Sequence, residues 1–313
     1  MMDRAMPETA PRGPARPSRE GRDDAPLYAA LDLGTNNCRL LIARRARGGF
    51  RIVEAFSRIV RLGEGLSQTG ELSTAAMDRA LAALAVCAER IQRRKVLRLR
   101  AIATQACRAA RNGEAFLTRV KEETGLVLQI IDPSEEARLA VVGCSDLIDD
   151  RFRSALILDV GGGSTELSWV RPRGRGDPRP AEMLAWHSVP VGVVTLAERF
   201  PEPPMPSAAW YDSMVEAMRS EIDRFEGAEP HRSDFSDNRA QLIGTSGAVT
   251  SLASLHLGLT RYERSRVDGL RMTSGQCRAV AADLLRLDRA GRAAHNCIGP
   301  DRADLVLAGA AIL

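Results

Sequence analysis

Two short segments of the sequence bring together an aspartate, glycines and hydroxyl side chains, each at the end of an apolar run. We call residues 32–37 the first glycine loop and residues 159–165 the second glycine loop. The first contains Asp32, Gly34, Thr35 and Asn36, and the second contains Asp159, Gly161, Gly162, Gly163, Ser164 and Thr165. A glycine turn lets backbone N–H groups point at an anion, because no Cβ blocks close approach. Both segments are therefore candidate phosphate-binding loops, with the hydroxyl groups as further donors.

The aspartate in each loop suggests a divalent cation. A carboxylate beside a phosphate is repelled unless a cation, or a water molecule bound to one, lies between them. We therefore predict that Asp32 and Asp159 are ligands of Mg²⁺ or Mn²⁺. A single loop of this kind is explained equally well as a capped turn or a hairpin, so one loop alone does not establish a site.

The order of strand, aspartate and glycine turn occurs twice in the chain. Residues 31–35 and residues 158–162 follow this order. An internal repeat of this kind indicates a duplicated domain, and it favours a functional role for both loops. We expect the loops to face each other across a cleft between two related domains.

Apolar periodicity, turn residues and capping residues predict the elements that position the loops. Strands are predicted within residues 27–44 on both sides of the first loop, at 51–60 after a Gly48-Gly49 turn, and at 97–104, 127–131, 155–159, 166–170, 186–189 and 241–243. Helices are predicted after Ser73-Thr74, at 112–124, from 132 to about 148 with Ser134 as N-cap, at 193–200 and 207–225, after residue 247, and at 301–313. The alternation predicts an α/β protein with mixed sheets.

Length and composition fit an enzyme of two medium domains. The chain has 313 residues, of which 44% are hydrophobic, and a formal net charge of +4. No apolar run reaches membrane-spanning length and residues 1–26 lack a signal-peptide core, so we expect a cytoplasmic protein with a disordered leader at residues 1–26. The mild charge does not indicate a nucleic-acid binder. The six cysteines are scattered, which favours buried free thiols over a metal site or disulfides.

Five segments together resemble the exopolyphosphatase / guanosine pentaphosphate phosphohydrolase (Ppx/GppA) family of the actin-like, ribonuclease-H-like superfamily. They are the two glycine loops, residues 103–108 with Asn112, residues 134–139 and residues 244–247. The resemblance extends from Leu27 to the C-terminus. It implies an actin-like domain I at residues 27–132 and an actin-like domain II at residues 133–313, with a last helix that could return to domain I.

The resemblance also implies roles for individual residues. Glu136 matches the family's catalytic glutamate, and a carboxylate in the first turn of a helix facing a phosphate cleft can activate a water molecule. Arg108 matches an arginine that can clamp phosphate oxygens. Glu166, with Asp159, matches acidic positions that act through Mg²⁺.

Further residues also receive a predicted role. Gly244, Ser246 and Gly247 are expected to bind another part of the substrate. Glu135 is interpreted as a solvated acid that the helix dipole favours, and Arg138 as a structural ion-pair partner.

Three residues near the first glycine loop depart from the family pattern. Asn37 and Gln105 stand where Ser is common, and Cys38 stands where an apolar or aromatic residue is common. They change side chains but leave the backbone donors of the loop intact. The additional C-terminal helical domain of larger members has no counterpart here, so we expect a short form.

The implied reaction is hydrolysis of a phosphoanhydride by a water molecule that Glu136 activates. The substrate would be inorganic polyphosphate, losing its terminal phosphate, or guanosine pentaphosphate, losing its 5′-phosphate. The alternatives are a kinase of the same superfamily and a nucleotide-gated module without activity. We expect a polyanionic phosphate as the partner, neither nucleic acid nor a membrane, and allow for a homodimer. The sequence does not rank the two substrates, because both present the same terminal bond.

Overall fold

The structure is a computed structural model that describes residues 25–47, 49–174, 177 and 179–313. The predicted leader lies outside these residues except for its last two, and so does Gly48 of the predicted turn. The strands are β1 Leu27–Leu33, β2 Asn37–Ala46, β3 Gly49–Ile59, β4 Arg98–Ala103, β5 Gln129–Ile130, β6 Ser154–Val160, β7 Thr165–Arg171, β8 Glu182–Val189 and β9 Ala240–Thr245. The helices are α1 Leu66–Thr69, α2 Thr74–Arg93, α3 Gln105–Ala109, α4 Gly113–Thr124, α5 Pro133–Gly143, α6 Val193–Arg199, α7 Ala208–Ile222, α8 Arg232–Ser236, α9 Ser246–His256, α10 Arg264–Val267, α11 Ser274–Leu285, α12 Arg289–Ala294 and α13 Val306–Ile312.

The two sheets repeat one strand order. The first runs β3-β2-β1-β4-β5 and the second runs β8-β7-β6-β9. In the first sheet β1 is antiparallel to β2 and parallel to β4, and in the second β6 is antiparallel to β7 and parallel to β9. The predicted α/β fold with two related mixed sheets is confirmed.

Equivalent strands of the two sheets carry the loop aspartates. Asp32 on β1 pairs with Arg39 on β2. Asp159 on β6 pairs with Glu166 on β7 and with Thr245 on β9. The duplication therefore places both aspartates at the same end of their sheets, where each glycine loop turns the chain into the next strand.

Each sheet has its own apolar core. In the first domain, Leu31 and Ile42 lie in one buried cluster with Leu84 of α2. Ser73 begins α2 by accepting a hydrogen bond from the Ala76 backbone N–H, as predicted. In the second domain, Leu158 and Leu167 share a cluster with side chains of α7 and α13. Burial of one such leucine contributes about 1.5–3 kcal/mol to stability.

The N-terminus of α5 differs from the prediction. Asp132, rather than Ser134, is the N-cap: its Oδ1 accepts from the Glu135 backbone N–H at 2.9 Å and from Ser134 Oγ at 2.6 Å. The reason is Pro133, which has no N–H and fits the first helical position, so that the cap falls on the residue before it. The helix also ends at Gly143, and a single 3₁₀ turn at Ser145–Leu147 follows where the helix was expected to continue.

The last helix lies in the second domain. α13 packs against α6, α7, α9 and α11, whereas the sequence suggested that it could return to the first domain. It begins at Val306 instead of residue 301, since residues 301–305 form turns. None of the helices in the described ranges is long and apolar enough to cross a membrane. The cysteines are free thiols, and all but Cys277 are buried, as predicted.

Two contacts fasten the domains to each other beside the cleft. Arg61 of the first domain donates to Asp304 Oδ1 at 2.8 Å and to Oδ2 at 2.9 Å. Glu198 on α6 accepts from the Gly65 backbone N–H at 2.7 Å and from the Ser67 hydroxyl. Both carboxylates belong to the second domain, so these bonds hold it against residues 61–67 of the first domain.

Candidate active site

The glycine loops lie against each other between the domains. A Cβ added at Gly162 would lie 2.9 Å from the Thr35 Cβ and 3.1 Å from the Asn36 backbone nitrogen. A Cβ at Gly163 would lie 2.0 Å from Gln105 Oε1. Glycine is therefore required at position 162 for the loops to approach this closely, whereas a side chain at position 163 would displace the Gln105 amide.

Both loops are built on the same turn and leave donors free. The Gly34 N–H donates to the Asn37 carbonyl and the Gly161 N–H donates to the Ser164 carbonyl, each at 2.9 Å. Within the described part of the chain, the backbone N–H groups of Thr35, Asn36, Gly162 and Gly163 have no hydrogen-bond partner. These are the groups that a phosphate bound between the loops can accept from.

Carboxylates form the floor of the cleft. Asp32, Glu136 and Asp159 line it together with the glycine loops. Burial raises the pKa of Asp32, and the guanidinium of Arg39 opposes this. Burial likewise raises the pKa of Asp159 to about 6, with Arg39 lowering it and Asp32 raising it further. The two aspartates are close enough to disfavour each other's ionisation.

Glu136 is held at the start of α5 by an arginine of the first domain. Arg108 Nη1 donates to the Ile131 carbonyl at 2.6 Å and to Glu136 Oε2 at 3.3 Å. Burial raises the pKa of Glu136 to about 7, while Arg108 lowers it and Asp159 adds to the rise. A carboxylate with such a pKa is suited to accept a proton near neutral pH.

Glu135 turns away from this pair. Its carboxylate accepts from Arg100 at 2.5 Å and from Arg138 Nε at 2.6 Å, outside the cleft. Arg138 therefore has the ion-pair contact predicted for it, whereas Glu135, predicted to be a solvated acid, is paired with two arginines.

Glu166 lies behind the cleft and not on a solvent-facing strand surface. Its side chain is 2% exposed and accepts from Ser188 Oγ at 2.9 Å. Burial raises its pKa to about 8, and the charge of Glu136 raises it further. The carboxylates of Asp32, Glu136, Asp159 and Glu166 thus form one acidic cluster, in which Glu166 is buried and the other three are partly buried.

The acidic cluster fits a divalent cation that takes part of its coordination from elsewhere. Among the residues that the structure describes, no three His, Cys, Asp or Glu side chains are arranged to hold a metal ion by themselves. Mg²⁺ commonly binds through one or two carboxylates, water and substrate phosphates. Asp32 and Asp159, which open onto the cleft, can supply such ligands and would lose mutual repulsion by doing so.

The loop hydroxyl groups differ in where they point. Thr35 Oγ1 donates to Gln105 Oε1 at 3.0 Å at the edge of the cleft. Thr165 is fully buried and donates to the Val191 carbonyl at 2.7 Å, so it fixes the second domain and does not present a donor to phosphate as expected. Ser164 lines the cleft.

Of the predicted substrate-binding residues at positions 244–247, Ser246 and Gly247 line the cleft or the recess beside it. Ser246, the first residue of α9, has a φ of +82°, a strained backbone conformation that is frequent at functional sites. It lines the cleft, and Gly247 lines an adjoining recess. Gly244 does not: it lies inside β9, where an added Cβ would be 2.8 Å from Val249 Cγ1.

Two arginines of the site were not predicted. Arg39 lines the cleft, and Arg302 lines the adjoining recess with Ser246 and Ser251. Burial lowers the pKa of Arg302, and the charge of Arg39 lowers it further. Within the described ranges, neither guanidinium has a carboxylate at ion-pair distance. Arg39 in the cleft and Arg302 in the recess are thus positive charges without a carboxylate at ion-pair distance in the described ranges, and they favour binding of an anion.

Asn36 and Asn37 also line this recess, and each has a buried Oδ1 without a hydrogen-bond partner. Strand alternation could have identified Arg39, because it lies on the same face of β2 as Asn37. No signal in the sequence marks Arg302, which reaches the site only through the packing of the C-terminal segment.

Known proteins share this sequence and architecture. Residues 41–313 match the Ppx/GppA phosphatase family. Exopolyphosphatase 2 of Mycobacterium tuberculosis is 30% identical over 294 residues, which cover 91% of this chain and 88% of that protein. The guanosine-5′-triphosphate,3′-diphosphate pyrophosphatase of Photobacterium profundum is 32% identical over 234 residues, covering 74% of this chain and 44% of that protein.

A solved structure agrees with these matches. The Aquifex aeolicus member of the Ppx/GppA family superposes with a TM-score of 0.71 at 27% identity, covering 92% of this chain and 88% of that one. The chain therefore belongs to the Ppx/GppA phosphatase family.

Proposed function

We propose that this protein hydrolyses the terminal phosphoanhydride bond of inorganic polyphosphate, of guanosine pentaphosphate at its 5′ end, or of both. The observation that carries the proposal is the position of Glu136, which lines the cleft between the glycine loops with Arg108 at 3.3 Å. The names of the two relatives support the same class of substrate.

The terminal phosphate would lie between the glycine loops. The unpartnered N–H groups of Thr35, Asn36, Gly162 and Gly163 would donate to its oxygens. The cleft and the recess share Asn36, Gly161 and Ser246, so they are two sections of one groove. Glu136 lies at one end of this groove and Arg302 at the other, and the rest of the substrate would extend toward Arg302.

Glu136 would act as the general base. An in-line displacement places the attacking water opposite the leaving oxygen, and this water would lie at the Glu136 end of the groove. The water oxygen bonds to the terminal phosphorus, its proton passes to the Glu136 carboxylate, and the bridging P–O bond breaks. The bridging oxygen leaves with the shortened chain. General-base catalysis of this kind contributes about 10²–10⁴-fold to the rate.

The remaining charged residues would balance the negative charge of the substrate. Asp32 and Asp159 would hold Mg²⁺ or Mn²⁺, which when bound neutralises phosphate oxygens. Burial raises the pKa of Glu166 to about 8, which favours its protonated form at neutral pH, so Glu166 would join the cation site only once a positive charge favours its ionised form. Arg39 in the cleft and Arg302 in the recess would pair with phosphate oxygens of the substrate.

The test is phosphate release in the presence of Mg²⁺ from polyphosphate, guanosine pentaphosphate and ATP, each supplied alone. The proposal predicts orthophosphate from at least one of the first two substrates. Release from ATP alone would overturn it and favour a kinase-type enzyme. Competition between polyphosphate and guanosine pentaphosphate then ranks the two substrates.

A further inference from the structure

We infer that Gln105 caps the terminal phosphate and restricts the enzyme to phosphates that carry no further substituent. This inference rests on the proposed function and adds to it a residue that determines which phosphorus atom is attacked. The structural feature behind it is a side chain that spans the two glycine loops at the Glu136 end of the groove.

Gln105 bridges the two domains at this point. It is the first residue of α3, and its Oε1 accepts from Thr35 Oγ1 at 3.0 Å. The same oxygen lies against the second glycine loop, 2.0 Å from where a Gly163 Cβ would be. Its Nε2 makes no hydrogen bond within the described part of the chain, so the amide can donate into the cleft.

Gln105 lies at the Glu136 end of the groove. Glu136 and Gln105 line the cleft but not the recess, whereas Arg302 lines the recess but not the cleft. The leaving chain therefore extends away from Gln105. The terminal phosphate has Glu136 and Gln105 on its far side, where the attacking water must also fit.

An internal phosphorus needs room that Gln105 occupies. It carries a second bridging oxygen in place of one terminal oxygen, so a further phosphate must lie beside the attacking water. Next to Gln105 is a second cavity of about 450 Å³, whose lining includes Thr35, Gln105 and Arg199. The side chain of Gln105 is thus part of the wall between this cavity and the cleft.

Shortening Gln105 should join the two spaces. A substituent on the terminal phosphate could then enter the second cavity, where Arg199 offers a positive charge. The intact wall excludes even a small ester group by overlap, and the free amide donor favours an unsubstituted phosphate oxygen. Gln105 acts on selection of the substrate, while Glu136 carries the chemistry.

The experiment compares a substrate with a free terminal phosphate to the same substrate with a methyl ester on that phosphate. It uses whichever free substrate the wild type cleaves, and products are identified by phosphorus NMR. The wild type should prefer the free form by about 100-fold in kcat/KM, and Gln105→Ala should reduce this preference to about 10-fold or less. On unmodified polyphosphate, Gln105→Ala should also release pyrophosphate.

Two control variants test whether the preference comes from the volume of the Gln105 side chain, and not from its amide group or from any change in the second cavity. Gln105→Met fills a similar volume without an amide and should keep most of the preference. Gln68→Ala alters a residue that lines the second cavity but not the cleft, and should leave the preference unchanged. An unchanged preference in Gln105→Ala, or loss of preference in Gln68→Ala, contradicts the inference.

Loss of turnover in Gln105→Ala does not leave the question open. In that case the dissociation constant of the methyl ester is measured in place of kcat/KM. The inference predicts that the ester binds Gln105→Ala at least about tenfold more tightly than it binds the wild type. Equal affinities contradict the inference. Failure of the wild type to hydrolyse either free substrate refutes the proposed function instead, so the two failures are distinguishable.

Discussion

Arg108 and Glu136 lie 3.3 Å apart, from the guanidinium Nη1 to the carboxylate Oε2, at the base of the cleft. The same Nη1 donates to the Ile131 carbonyl, just before α5 begins, so Arg108 holds both the helix entry and the side chain near its N-terminus. Burial raises the pKa of Glu136 to about 7 and Arg108 limits the rise. The arginine therefore sets how much of the carboxylate is ionised at neutral pH.

Replacing Arg108 should move the pH dependence of catalysis. Arg108→Met removes the charge that lowers the pKa of Glu136, so the rise of kcat/KM with pH should shift to higher pH and the rate at neutral pH should fall. The pH–rate profile under saturating Mg²⁺ measures this. Arg108→Lys should shift it less, and Arg100→Met, which affects the Glu135 pair only, should not shift it. Identical profiles for Arg108→Met and the wild type would contradict the account.

Asp159→Asn should change stability and cation binding together. Burial raises the pKa of Asp159 from 3.8 to about 6. The unfolded chain releases the Asp159 proton near pH 3.8, whereas the folded protein holds it up to about pH 6. The stabilisation that protonated Asp159 contributes at low pH is therefore lost as the pH rises through about 6. At pH 7 without metal, Asp159→Asn should therefore be more stable than the wild type, by on the order of 1–3 kcal/mol.

Added Mg²⁺ should reverse the order of the two proteins. The cation would stabilise the wild type by binding the folded state, and it should stabilise Asp159→Asn less. Urea unfolding with and without Mg²⁺ measures both effects. An equal response of the two proteins to Mg²⁺ would rule out Asp159 as a ligand.

Arg302→Met should weaken substrate binding more than it slows the chemical step. Arg302 lies in the recess at the far end from Glu136, where the leaving chain would extend. Loss of a charge-assisted hydrogen bond there corresponds to about a 10- to 100-fold rise in KM. Steady-state kinetics measures it, with Arg271→Met, which breaks an exposed pair with Asp149, as the matched control. A KM that does not change would show that the substrate does not reach the recess.

Arg61→Met should loosen the closed arrangement of the domains. The two hydrogen bonds from Arg61 to Asp304 cross the interface and are partly shielded from solvent. Without them we expect a larger radius of gyration by small-angle X-ray scattering and a kcat lower by about tenfold, since the loops must meet to form the site. Arg119→Met, whose pairs with Asp78 and Glu123 lie within the first domain, is the control. An unaltered radius and kcat would assign Arg61 no role in closure.

Local sequence patterns were sufficient to predict the strands and glycine loops that carry the site. Asp32 and Asp159 follow apolar strands, and the repeat of strand, aspartate and glycine turn predicted that the loops would face each other. These features depend on residues adjacent in sequence. The same holds for the cap of α2 at Ser73. At α5, by contrast, Asp132 and Ser134 both favour a cap, and the restriction that Pro133 imposes decides between them.

The charges that complete the site depend on how the domains meet. Arg302 joins Arg39 only after the C-terminal segment has packed beside β2 and α9. Thr165 has the residue type and position of a phosphate ligand, yet its partner is the Val191 carbonyl from a distant loop. Gln105 meets Gly163 only across the closed interface. No periodicity or spacing in the sequence reports such contacts.

The most direct test of the account is orthophosphate release by Glu136→Gln beside Glu135→Gln. The two substitutions are adjacent and chemically identical, but Glu136 lines the cleft and Glu135 pairs with Arg100 and Arg138 outside it. Single-turnover release from polyphosphate or guanosine pentaphosphate with Mg²⁺ should fall by about 10²–10⁴-fold in Glu136→Gln while substrate binding is retained. Glu135→Gln should stay close to the wild-type rate. Hydrolysis by Glu136→Gln at the wild-type rate would contradict the assignment of the general base and, with it, the proposed mechanism.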